Sequence, residues 1–108
     1  MDPVIRKGKN YRNAAGKSPF RDWITRKIDG DVRNRINARI RRIEEFGNYG
    51  DCEPVGEGVY ELKLDTGPGY RVYFGIDEDK MILLLGGTKA TQESDISKAR
   101  EYWEDYNA

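Results

Sequence analysis

Val59-Tyr60-Glu61-Leu62-Lys63-Leu64-Asp65, Gly67-Pro68-Gly69 and Tyr70-Arg71-Val72-Tyr73-Phe74-Gly75-Ile76 form the stretch that decides the fold. The first run alternates, with Tyr60, Leu62 and Leu64 on one side and Glu61 and Lys63 on the other, which is the period of a strand. The Gly-Pro-Gly cluster is a turn signal. The second run answers the first, placing Tyr70, Val72, Phe74 and Ile76 on one face and Arg71 and Tyr73 on the opposite one. Asp77-Glu78-Asp79 then turns the chain into Met81-Ile82-Leu83-Leu84-Leu85. That run is apolar on both sides and reads as a buried central strand.

Upstream of Gly47 the period is helical. Ser18 followed by Pro19 reads as a helix start, because serine caps free amides and proline at the first helical position forfeits no hydrogen bond. Phe20, Trp23, Ile24 and Ile28 then recur at helical spacing up to Asp29-Gly30. A second helix begins near Asp31, a capping residue, and carries Val32, Ile36, Ile40 and Ile43 inward. Arg35, Arg39 and Arg42 stack on one flank of it, while Arg33 and Arg41 project elsewhere. Downstream, a last helix from about Thr91 carries Ile96, Ala99, Trp103 and Tyr106 inward. A weak first strand is read at residues 4–6. The expectation is an α+β fold of two N-terminal helices on a mainly antiparallel sheet of about four strands, closed by a C-terminal helix.

The chain has 108 residues, which fits one domain over residues 1–108 with a basic N-terminal segment at 1–17. No apolar run approaches the roughly 18 to 20 residues of a membrane span. The N-terminal segment lacks the apolar core of a secretory signal, and the single cysteine, Cys52, has no second cysteine to pair with. A cytoplasmic location, with no membrane partner, is expected. The zero net charge hides an asymmetry: residues 1–50 hold 13 Lys and Arg against 6 Asp and Glu, and residues 51–108 hold 6 against 13. A net +7 half can bind a polyanion, although a solvated helix surface gives the same count.

The absence of histidine removes Ser-His-Asp and Cys-His triads and histidine-ligated zinc. Asp51 and Glu53 should raise the pKa of Cys52 and dull it. Gly86-Gly87-Thr88-Lys89 lacks the spacing of a phosphate loop, and Asp77 and Asp79 read as an exposed turn. No metal or cofactor is expected. A cationic and aromatic sheet face is left. Lys63, Arg71 and Tyr73 can share one side of the hairpin, and Lys89 can reach its edge. Such residues can grip a phosphate, move a proton or stack on a base. A solvated face with cross-strand pairs among Glu61, Lys63 and Arg71 fits the same pattern.

Gly56-Glu57-Gly58-Val59-Tyr60-Glu61-Leu62-Lys63-Leu64, Gly67-Pro68-Gly69-Tyr70-Arg71-Val72-Tyr73-Phe74 and Leu83-Leu84-Leu85-Gly86-Gly87-Thr88-Lys89-Ala90-Thr91-Gln92 resemble the HigB-like killer proteins of the RelE/ParE superfamily. Phe20-Arg21-Asp22-Trp23 and Gly47-Asn48-Tyr49-Gly50-Asp51 also look like that branch, so the likeness spans roughly residues 18–100. It implies a compact RelE-like fold and the toxin of a type II toxin–antitoxin pair, held in check by a small antitoxin, commonly of helix-turn-helix type. It further implies a ribosome-dependent, metal-independent endoribonuclease that cuts messenger RNA and stops translation. By that likeness Arg71 holds the scissile phosphate, and Lys63 and Lys89 fall at cationic positions and are candidates for the proton transfers. The charge of Arg35, Arg39 and Arg42 suits a grip on ribosomal RNA phosphates, with Tyr70 a further RNA-binding candidate. The catalytic tyrosine that RelE-like enzymes carry before the last helix is missing from Thr91-Gln92-Glu93-Ser94-Asp95-Ile96. Tyr73, Tyr70 or a lysine is left to replace it. Two alternative readings of the chain stay open: a ParE-like inhibitor of DNA gyrase, which needs no catalytic residues, and a non-catalytic regulator that only binds an antitoxin.

Overall fold

The computed structural model describes residues 5–108. Its elements are β1 (Lys7–Asn10), α1 (Pro19–Arg26), α2 (Gly30–Phe46), β2 (Cys52–Gly56), β3 (Val59–Leu64), β4 (Tyr70–Asp77), β5 (Lys80–Thr88), a 3-10 turn (Lys89–Thr91) and α3 (Gln92–Asn107). The five strands form one mixed sheet in the order β1-β5-β4-β3-β2, with β1 parallel to β5 and every other pair antiparallel. The α+β class and the final helix are as expected, and β5, flanked on both edges, is the internal strand its apolar run implied.

Three details differ from expectation. The first strand is Lys7–Asn10 and not residues 4–6, of which Val4 lies outside the described residues. The sheet gains Cys52–Gly56, an edge strand whose Pro54 and bulge at Gly56 hide the period-2 signal. The second helix starts one residue earlier: Asp29 occupies the cap position without a side-chain bond, and Asp31 lies in the first turn.

Helix ends follow from the residues present. Ser18 accepts a hydrogen bond from the Arg21 amide at 3.2 Å and Pro19 opens α1. Arg33 of α2 closes the other end of α1, its guanidinium donating to the carbonyls of Ile24, Thr25 and Ile28. Gly47 ends α2 in the left-handed conformation at φ 66°.

Both sheet faces are covered. Phe20, Ile24, Ile28, Ile36, Ile40 and Ile43 of the first two helices bury Leu62, Leu64, Val72, Phe74, Met81 and Leu83. Ala99 of α3, with Ile96, Trp103 and Tyr106 beside it, packs over Val59, Tyr73, Ile82 and Leu84 on the other face. A register shift at Tyr73/Phe74 against β5 changes which side the following residues take. As a result Gly86 faces Trp23 of α1 and Gly87 faces Asp95 of α3. A Cβ at either place would lie about 2 Å from those side chains, so glycine is what lets both helices seat there.

Candidate functional site

Strand pairing brings Lys63, Arg71 and Gly87 abreast, since Lys63 pairs with Arg71 and Arg71 with Gly87. At the end of this row the Lys89 amide donates to the Gly69 carbonyl at 2.8 Å, which ties the turn after β5 to the turn before β4. Lys89 itself is exposed. Its Cβ and the Arg71 Nη1 both flank Gly69. The cations of β3, β4 and the 3-10 turn thus gather at one end of the sheet.

Arg71 is the unusual member. It is only 7% exposed, its Nη1 donates to the Tyr70 carbonyl at 3.2 Å, and its buried Nε has no partner among the described residues. Among those residues no carboxylate lies within ion-pairing distance of it. A buried guanidinium with an unused donor and no carboxylate within ion-pairing distance is costly, and an arriving anion would relieve it.

Lys63 donates to Glu53 across 3.0 Å, and that bond, with the nearby carboxylates, raises its pKa. Crowding by arginines would lower it; the Glu53 partner on the edge strand reverses the sign. Tyr73 is fully buried, and its hydroxyl donates to Glu61, itself 1% exposed, at 2.9 Å. Burial, then the Glu61 bond, pushes the Tyr73 pKa well above the usual range. Gln92 at the start of α3 also donates to Glu61, at 2.8 Å. Thr91 donates to Asp95 at 2.5 Å beside Gly87. Tyr70 points to the other face, edge-on to Trp23 with ring centres 6.4 Å apart.

Alternation placed Glu61 on the face of Lys63 and Arg71, but its burial under α3 had no signal in the sequence, nor had the roles of Gln92 and Asp95. Burial, with Asp51 and Glu53 adding, raises the Cys52 thiol to about 11, the direction expected of an unreactive cysteine.

On the opposite side of the β3–β4 turn lies a second cationic feature. A groove of about 310 Å³ runs between α2 and the turn, floored by Ala38 and Leu64 and rimmed by Arg35 and Arg42. Asp65 and Thr66 form its far wall. Arg35 donates to Thr66 Oγ1 at 2.9 Å, whereas the guanidinium of Arg42 has no partner among the described residues. Arg39 differs from both. It donates to the carbonyls of Lys63 at 2.8 Å and Tyr49 at 3.0 Å, which binds α2 to the sheet. Burial, then Arg42, lowers its pKa. The expected row of three arginines on one flank is therefore two exposed arginines and a structural one.

Among the described residues no group of three or more His, Cys, Asp or Glu could hold a metal ion, and no helix is long and apolar enough to cross a membrane. A family model described as "Phage derived protein Gp49-like (DUF891)" matches residues 22–104. A Haemophilus influenzae protein described only as "Uncharacterized protein" is 42% identical over 82 residues, covering 75% of this chain and 82% of that protein. No solved structure matches the chain.

Proposed function

Because the chain belongs to the phage-derived Gp49-like family, we propose that it is the toxin of a toxin–antitoxin pair and a ribosome-dependent endoribonuclease. The observation that carries this reading is Arg71, buried with a free Nε beside Lys63 and Lys89. The resemblance to HigB-like killer proteins of the RelE/ParE superfamily supports it and supplies the partners, a helix-turn-helix antitoxin and the ribosome with its messenger.

In the proposed reaction a ribose 2′-oxygen attacks the adjacent phosphorus and the bond from phosphorus to the 5′-oxygen breaks. The products are a 2′,3′-cyclic phosphate and a 5′-hydroxyl. Arg71 holds the non-bridging oxygens as charge grows on them, a contribution on the order of 3 kcal/mol for a fixed oxyanion donor. Lys63, kept protonated by Glu53, suits the donation of a proton to the leaving 5′-oxygen. Lys89, exposed at the mouth, is the remaining cation and is left as the group to take the 2′-proton. Tyr73 is left out of the reacting set, because its hydroxyl is buried on Glu61. Tyr70 is left out as well, since it packs on Trp23. The proposed reaction uses no metal, as the resemblance implies.

The test is induction of the chain without a partner, followed by mapping of messenger ends, together with single-turnover cleavage on purified ribosomes. Wild-type protein should stop translation and leave new 5′-hydroxyl ends, and cleavage should persist in EDTA at a level that leaves ribosomes intact. Arg71→Ala should slow cleavage roughly 100-fold or more with ribosome binding changed only a few-fold. Collapse of DNA supercoiling while translation continues would replace this reading with gyrase inhibition.

A further inference from the structure

The groove at Arg35 and Arg42 is separate from the Arg71 site but shares a turn with it. Thr66 accepts from Arg35, and its carbonyl accepts from the Gly69 amide at 3.0 Å, while Gly69 lies against Arg71 Nη1. Residues 65–69 are therefore a ridge with a cationic site on each side. The groove carries Arg35, Arg39 and Arg42 against the single carboxylate of Asp65, and the Arg39 charge is spent on carbonyls that do not neutralise it. Its volume, about 310 Å³, is at the small end of ligand pockets and suits one nucleotide.

We infer that this groove is a nucleotide subsite for single-stranded RNA, in which Arg35 and Arg42 hold a phosphate, Ala38 and Leu64 floor the base, and Asp65 selects a base that donates hydrogen bonds. The inference rests on the RNA-cleaving reading only for why a strand should pass both sides of the ridge. Two arginines on a concave rim take a phosphate, and a guanidinium plane also stacks on a base. An apolar floor serves any base face. An acidic peptide would satisfy the arginines too, but it would bring its carboxylates against Asp65 and leave that residue without a role. A base edge uses it. Guanine offers two adjacent N–H donors to a carboxylate, cytosine and adenine offer one amine, and uracil's single N–H lies between two carbonyl oxygens that repel it. The expected order is therefore guanine first and uracil last.

The probes are hexauridylate and the same hexamer with one central guanosine, each with 2′-deoxyriboses so that nothing is cut, titrated into the full chain at two salt concentrations. The guanosine hexamer should bind at least 5-fold tighter, and Ala38, Leu64 and Thr66 amide resonances should shift on binding. Asp65→Ala should bring the two affinities within 2-fold of each other, chiefly by tightening hexauridylate, because a negative charge has left a phosphate site. Arg35→Ala with Arg42→Ala should weaken both hexamers by about 10-fold and lower the salt dependence. Circular dichroism should show each variant folded, as expected for exposed side chains. Equal binding of the two hexamers by wild-type protein, unchanged affinity in the arginine pair, or hexaglutamate competing as well as RNA each overturns the subsite. Base selection that survives while ribosome-bound messenger stays uncut would sink the nuclease reading and leave the subsite standing.

Discussion

Arg39 and Arg42 are three residues apart and look alike in the sequence, yet only one is structural. Arg39→Ala would leave the Lys63 and Tyr49 carbonyls without their donor and separate α2 from the sheet edge. Equilibrium unfolding should show a loss of about 2 kcal/mol, and Arg42→Ala should stay within about 0.5 kcal/mol of wild type. Equal effects of the two would refute the distinction. Spacing puts both residues on one flank, but which of them meets a carbonyl depends on where Tyr49 and Asp51 return, and no periodicity encodes that. The tyrosines carry a second residue-scale effect. Burial, then the Asp105 bond at 2.6 Å, raises Tyr11 to about 12. Its folded value lies above the unfolded value near 10, so its stabilisation is complete below about pH 10 and is lost as pH rises from there to about 12. Tyr73 shifts in the same direction. Melting temperature should fall steeply above pH 10, and Tyr11→Phe should make that fall shallower; an unchanged slope would show that Tyr11 titrates normally.

At the scale of elements, the helices were legible because their cores repeat at helical spacing and Ser18-Pro19 and Gly47 punctuate them. The hairpin of β3 and β4 was legible because both strands alternate around Gly67-Pro68-Gly69. The edge strands were not. Lys7-Gly8-Lys9-Asn10 has no apolar side chain and Cys52-Glu53-Pro54-Val55-Gly56 no alternation, because an edge strand gains its place from its neighbour's backbone. The inner stripe of α3, Ile96, Ala99, Trp103 and Tyr106, was legible too, but the alternation of β4 could not reveal that this stripe would cover its charged face. Two glycines test how tightly helices seat. Gly86→Ala places a Cβ 2.1 Å from the Trp23 ring and should cost about 2 kcal/mol or more. Gly30→Ala, at the first residue of α2 with nothing within 4 Å, should stabilise by about 0.5 kcal/mol. Thermal melts of the two variants should move in opposite directions; a Gly86→Ala protein as stable as wild type would mean that α1 can shift away from β5.

For the whole molecule, net charge and charge placement make different forecasts. The chain is neutral in total but carries +7 in its first half and −7 in its second. The basic groove lies on the α2 side of the sheet and the exposed Glu101 and Glu104 lie on α3 across it, in a body whose shortest dimension is 23 Å. At physiological salt the Debye length is about 8 Å, so charges on one side are largely screened from a polyanion held on the other. Arg35→Glu with Arg42→Glu and Glu101→Lys with Glu104→Lys shift the net charge by equal amounts in opposite senses. If net charge governed binding to RNA or ribosomes, the second pair would strengthen it about as much as the first weakens it. If the groove governs, the first pair should weaken binding by about 10-fold or more and reduce the slope of log affinity against log salt by about 1 to 2. The second pair should then change affinity by less than about 3-fold at 0.15 M salt and have its larger effect only near 0.01 M, where the Debye length reaches about 30 Å. Affinities measured at both salt concentrations decide between the two, and a symmetric response at 0.15 M would mean that polyanions bind without using the α2 groove.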